Sequence, residues 1–117
     1  MKKILVTGSL AYDHIMDFPG EFKDHILPDK VHVLNVSFAV NGVSTKHGGT
    51  AGNIAYNLTL LGETPTILGA VGDDFDKARM ESLGVDAVFI KKFAGERTAS
   101  VHIITDRADN QISAYNA

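Results

Sequence analysis

Apolar positions along the chain follow three spacings, and each predicts an element. Ile4-Leu5-Val6, after Lys2-Lys3 and before Thr7-Gly8, is a short continuous run that reads as a buried strand. Leu34, Val36, Phe38 and Val40 alternate with Asn35, Ser37 and Ala39, which predicts a half-exposed antiparallel strand. Asn41-Gly42 then signals a tight turn, with Val43 to Lys46 as the returning partner. Ile54, Leu58 and Leu61 recur at helical spacing, Gly62 closes that helix, and Pro65 prevents its continuation. Residues 66–71, TILGAV, form an uninterrupted apolar run suited to a covered parallel strand. A shorter helix is expected from Asp76 to Leu83, before Gly84, and another strand at Val88-Phe89-Ile90. Thr98 to Thr105 and Gln111 to Tyr115 read as a hairpin around an Asp106 to Asn110 turn, and the stretch from Phe18-Pro19-Gly20 to Val31 as loop.

Strand, hairpin, helix and strand in that order make a β-α-β unit with a small sheet inserted in its crossover, hence an α/β fold. The 117 residues suit one small domain or part of a larger one. A net charge of -3 without a dense Lys/Arg cluster argues against a nucleic-acid partner. Cysteine is absent, which removes disulfides, thiolate metal sites and a cysteine nucleophile. No apolar run reaches the length of a membrane span and the N-terminus has no signal-peptide core, so the expectation is a soluble cytoplasmic protein without a membrane partner.

The chemistry concentrates in KHGGTAGNIAYNLTLLG, residues 46–62, where Gly48, Gly49 and Gly52 crowd the mouth of a helix. Glycine is a poor helix former, so such a cluster serves close approach or bending of the backbone. The spacing fits neither the dinucleotide fingerprint nor the P-loop. Asn53 offers both donor and acceptor to a hydroxyl, and the helix start offers unpaired N–H groups. Asp13 lies just beyond the first strand, at the carboxyl edge where α/β sheets bind ligands, and could accept from two vicinal hydroxyls; it could equally be a turn aspartate. Ser9 shares that edge, with bonding to local backbone as its alternative. Asp73-Asp74 reads as a solvated helix-entry cluster rather than a metal pair, and the five histidines lack ligand spacing.

Taken together, VTGSLAYDHIMDFPG, KHGGTAGNIAYNLTLLG and LGAVGDDF, in this order, resemble the ribokinase (PfkB) family of carbohydrate and nucleoside kinases. The resemblance runs through the whole chain and is strongest to bacterial adenosine kinases in FPGEFKDHILPDKVHVLNVSFAVNG and DNQISAY. It implies the N-terminal part of a ribokinase-like fold, with a nucleotide-binding body at about 1–14 and 47–97 and a β-sheet lid at about 15–46 and 98–117. It further implies transfer of phosphate from ATP, with Mg2+, to a primary hydroxyl, here the ribose 5′-hydroxyl of a nucleoside such as adenosine. Gly48-Gly49 match the family's di-glycine, which is a hinge for the lid and lies against the sugar. Asp13 and Asn53 match its sugar-binding residues. Phe38 and Tyr115, on the expected lid strands, match side chains that pack on the nucleobase, although packing within the small sheet would explain them too.

The family's G-A-G-D-type segment, with its aspartate base and anion hole, and its N-x-x-E-type magnesium segment do not occur here, so no catalytic or metal-binding residue is assigned. The segment between Phe75 and Leu83 is also shorter than in relatives, which puts its helix in question. The chain is therefore expected to supply acceptor-site and lid elements and to be inactive alone. A ribose or fructose kinase and a non-catalytic binding or dimerisation module are the alternatives. Lid sheets in the family can pair between subunits, so a homodimer through the lid is a further expectation, motivated by the alternating face from Leu34 to Val40.

Overall fold

The computed structural model describes residues 2–117. Its elements are β1 (Leu5–Thr7), β2 (Ala11–Asp17), β3 (Val43–Gly48), α1 (Thr50–Leu60), β4 (Thr66–Gly72), α2 (Lys77–Ser82), β5 (Ile90–Phe93), β6 (Ala99–Thr105) and β7 (Gln111–Asn116). They form two sheets. The first is parallel, in the order β1-β4-β5, and the second is mixed, in the order β3-β2-β6-β7. Within the second, β2 runs antiparallel to β3 and parallel to β6, and β6 is antiparallel to β7. The expected β-α-β body with a second, projecting sheet is what forms.

The core lies between α1 and one face of the parallel sheet. Val6, Ile67, Val71 and Ile90 point inward from the strands, Ala51 and Ala55 come from α1, and Phe75 and Met80 close one end. The opposite face of this sheet is bare among the described residues, with Leu5 60%, Leu68 48% and Phe93 43% exposed. Parallel sheets are normally covered on both faces. The apolar run from Thr66 to Val71 is thus parallel, as expected, but covered on one side only.

Of the three residues expected to bury α1, Leu58 packs against the core and the other two face outward. Ile54 is 46% and Leu61 78% exposed, while the residues that pack inward are Ala51, Gly52 and Ala55. Small side chains let the helix press against the β1–β2 connection, while Ile54 and Leu61 are left outside.

Residues 34–40 form no strand, which corrects the expected hairpin. Their burial still alternates, with Val36, Phe38 and Val40 half-buried between exposed neighbours. The reason is aromatic packing. Phe38 lies 4.8 Å from Phe18 and 5.0 Å from Phe22 between ring centroids, a cluster that anchors the segment without hydrogen bonding it into the sheet. The partner of β3 is β2, which the sequence reading left out. The second sheet consequently begins at Ala11 and takes in Gly48, where about 15 and 46 were expected, and residues 18–42 cross outside it. The strand expected at Val88-Phe89-Ile90 begins only at Ile90, and Val88 and Phe89 are exposed in the preceding turn. The questioned short helix does form, as α2, with the Asp76 carboxylate accepting from the Arg79 N–H at its N-terminus.

The β6–β7 turn is held by one buried carboxylate. Asp106 accepts from the backbone N–H of Phe22 at 2.9 Å, of Ala108 at 3.0 Å and of Asn110 at 2.9 Å. Burial alone pushes this carboxyl up, but the donors outweigh it and hold the group below the usual carboxylate range. The same bonds tie the turn to the 18–42 excursion.

Candidate functional site

The two sheets meet where β1 turns into β2 and where β3 turns into α1. Gly49 sits at the second turn with φ +83, a conformation that favours glycine, and a Cβ there would run into the Ser9 carbonyl. The close approach has a use. Ser9 accepts two of the N–H groups that a helix leaves free at its start: its hydroxyl from Thr50 at 2.9 Å and its carbonyl from Ala51 at 3.0 Å. The Ser9 hydroxyl is therefore engaged by local backbone, and the helix start has fewer free donors than the sequence suggested.

Gly48 pairs with Ala11 across the sheet, so Asp13 is its diagonal neighbour on the same face. A Cβ at Gly48 would lie 2.5 Å and 2.6 Å from the two carboxylate oxygens of Asp13. The missing side chain makes room for that carboxylate. Asp13 is half-buried in the interior of β2 rather than in a loop at the edge of the parallel sheet, and no described residue pairs with it in a salt bridge or donates to it. Ser9, Asp13, Gly48 and Gly49 are thus brought together at one corner.

Register gives Asp13 its neighbours. Lys46 of β3, Asp13, Val101 of β6 and Tyr115 of β7 stand side by side across the sheet on one face. Tyr115 is 82% exposed and free to meet a ligand. Phe38 is not part of this row: it lies off the sheet in the aromatic cluster with Phe18 and Phe22, which corrects its expected place on a lid strand.

The opposite face of the second sheet holds it to the body. Tyr12 stacks on His47 at 5.1 Å and lies 5.6 Å from Phe75, and its hydroxyl accepts from the Asp76 N–H at 2.8 Å. Burial pushes the Tyr12 phenol up; the Asp76 N–H opposes this and the Asp76 and Asp74 charges add to it. Burial also holds the His47 imidazole below its ordinary value, with Asp76 opposing and Arg79 adding to the shift. Neither residue was singled out from the sequence, where Asp13 and His14 break the apolar pattern of β2. Asn53, exposed on the first turns of α1, lines a groove with Tyr12, Lys46 and His47, a lining that does not include Asp13.

Three acidic side chains after β4 are occupied by backbone donors. Asp73 accepts from Gly95 at 2.7 Å, Asp74 from Thr98 at 2.8 Å, and Asp76 from Arg79 at 3.0 Å. The Thr98 hydrogen bonds hold the Asp74 carboxyl below its usual range. Among the described residues no group of three His, Cys, Asp or Glu side chains gathers as a metal cluster. No helix of the structure is long and apolar enough to cross a membrane.

A curated nucleoside kinase of Methanothermobacter thermautotrophicus is 30% identical over 97% of this chain and 35% of its own length. The nucleoside kinase of Burkholderia thailandensis in complex with inosine superposes with a TM-score of 0.78 at 37% identity, over 97% of this chain and 36% of that one. The Methanocaldococcus jannaschii nucleoside kinase, described as an archaeal member of the ribokinase family, gives a TM-score of 0.78 at 26% identity, over 99% and 37%. The chain therefore spans about a third of the length of these relatives, and matches the N-terminal part of the ribokinase fold. The family model described as pfkB family carbohydrate kinase matches residues 1–117, and the chain belongs to that family.

Proposed function

We propose that this chain supplies the acceptor-binding and lid part of an ATP-dependent nucleoside kinase that phosphorylates the ribose 5′-hydroxyl, with adenosine as the acceptor. The observation that carries the reading is the Asp13 carboxylate, seated on Gly48 in the space of a missing Cβ and without a protein donor. An ionised carboxylate is an acceptor only, with room for two hydroxyl donors. Vicinal 2′- and 3′-hydroxyls offer that pair, and binding them would leave the 5′-hydroxyl directed away from the sheet. Tyr115, on the same face, is suited to lie against a planar base. Asn53, one turn into α1, would reach the sugar when the sheet closes over it, with Gly48-Gly49 as the hinge. The similarity to nucleoside kinases, one of them bound to inosine, supports a nucleoside over a free sugar.

Phosphoryl transfer runs on positioning and charge stabilisation. The residues here bind and orient the acceptor and exclude water from it; ATP and Mg2+ would be held by other parts of the complete enzyme, as would the base for the 5′-hydroxyl. Pairing of two copies through the second sheet belongs to the same proposal, with β3 and β7 as its free edges. A monomeric mass for the complete protein in sedimentation would remove that part.

The test is an acceptor panel on the complete protein with ATP and Mg2+, scored by kcat/KM. The expected order is adenosine, then inosine, with free ribose far below. Ribose or fructose turning over better than either nucleoside would overturn the assignment. The 117-residue chain alone should form no AMP under the same conditions, and turnover that purified with it would contradict the division of labour.

A further inference from the structure

Lys46 of β3 stands one strand from Asp13, and the acceptor reading does not use it. The two are direct cross-strand partners. Opposite charges at such positions on one face ordinarily attract into a pair, yet these make no salt bridge, and Lys46 is exposed. β3 is an edge strand of the second sheet, and Lys46 also lines the groove beyond it, together with Asn53 and Arg79. The one acidic residue of that groove, Asp76, has its carboxylate on the Arg79 N–H. The Lys46 ammonium is thus a free cation between the two side chains, Asp13 and Asn53, that are assigned to the sugar.

Register sets the order of an acceptor along the sheet. Tyr115, Val101, Asp13 and Lys46 lie on consecutive strands, about 4.8 Å from one to the next. In a nucleoside the base leaves the ribose at C1′ and the 5′ carbon leaves it at C4′, on opposite sides of the 2′,3′ edge. With that edge on Asp13 and the base toward Tyr115, the 5′ end is carried toward β3. Lys46 is the side chain it meets there.

We propose that Lys46 is a catalytic residue, the cation that meets the phosphoryl group as it passes to the 5′ oxygen. This deepens the acceptor reading and rests on it. The 5′ oxygen forms a bond to the γ-phosphorus of ATP while the bond from that phosphorus to the β–γ bridging oxygen breaks. ADP leaves with that electron pair, and the 5′ proton goes to a base held by another part of the complete enzyme. The non-bridging oxygens stay charged throughout, and the Lys46 ammonium supplies donors to them without first giving up a carboxylate. Adenosine alone offers it no charge, so its contribution is made to the transition state and the product and not to the bound acceptor.

Kinetics and binding on the complete enzyme test this. Lys46→Ala, at an exposed edge position, should lower kcat for adenosine about a hundredfold and leave the adenosine KM in place. In titrations without ATP, the same substitution should weaken AMP binding about tenfold or more and spare adenosine binding. Asp13→Ala should weaken both ligands, and a merely structural role for Lys46 would likewise move the two together. Lys46→Arg, which keeps the charge, should retain more kcat than Lys46→Gln. Full kcat in Lys46→Ala, equal losses of AMP and adenosine binding, or Lys46→Arg no better than Lys46→Gln would overturn the proposal. Unchanged adenosine kinetics in Asp13→Ala beside the kcat loss in Lys46→Ala would sink the Asp13 assignment alone; the reverse pattern would sink this proposal alone.

Discussion

The two faces of the second sheet are built from the same strands and do opposite things. On one, Asp13 presents a carboxylate that no described residue pairs with, beside an exposed Tyr115. On the other, Tyr12 and His47 are stacked and packed on Phe75, and the Tyr12 hydroxyl accepts from the backbone N–H of Asp76. Period-two alternation is what separates them, so one residue of β2 can fix the sheet to the body while its neighbour stays available. The contrast teaches that orientation and recognition need not compete for side chains in a strand.

The contrast can be broken at the corner where the faces join. Gly49→Ala should have the largest effect, because the residue is held at φ +83 and a Cβ would collide with the Ser9 backbone. Left-handed strain alone costs about 1–3 kcal/mol, and the collision adds to it, so denaturant unfolding should show a loss of roughly 3 kcal/mol or more. Gly48→Ala should spare the fold and damage the site. Its Cβ displaces a side-chain carboxylate rather than backbone, and acceptor kcat/KM should fall about tenfold, near 1.4 kcal/mol, with unfolding little changed.

On the packing face the effects are smaller. Tyr12→Phe keeps the stack and removes the acceptor for the Asp76 N–H; about 1 kcal/mol of stability should go, with acceptor recognition retained. The smallest effect comes from pH. Burial depresses the His47 pKa from its ordinary value of 6.5, so the unfolded chain takes up the proton first as pH falls. Stability from this group is complete above about pH 6.5 and lost progressively below it. Thermal unfolding at pH 7.5 and 5.5 should show a difference that shrinks in His47→Gln, and an unchanged difference would assign the pH dependence elsewhere.

Much of this was legible in the sequence because punctuation and periodicity are local. Gly62 and Pro65 end α1, and the Asp106 to Asn110 turn separates β6 from β7 as read. The misses share a cause: alternation and helical spacing report which side of a segment is buried, and not against what. Residues 34–40 show the expected in-and-out burial, yet their partner is an aromatic cluster and not a strand. Ile54 and Leu61 keep helical spacing but face outward, because the body reaches α1 through Ala51, Gly52 and Ala55. β2 was hidden by Asp13 and His14, polar residues inside a strand of which one face packs and the other is left open. At the corner itself, the glycines and Asp13 were readable as a group, whereas the engagement of Ser9 by Thr50 depends on a contact between segments far apart in sequence.

The central claim is that Asp13 recognises the acceptor, and Asp13→Ala in the complete enzyme tests it most directly. A charge-assisted hydrogen bond is worth roughly 1.5–3 kcal/mol, so kcat/KM for adenosine should fall on the order of ten- to hundredfold, with the KM for ATP unchanged. 2′-Deoxyadenosine, which lacks one of the two hydroxyls, should lose much less from the same substitution. A folded Asp13→Ala enzyme that kept the wild-type kcat/KM for adenosine would contradict the account.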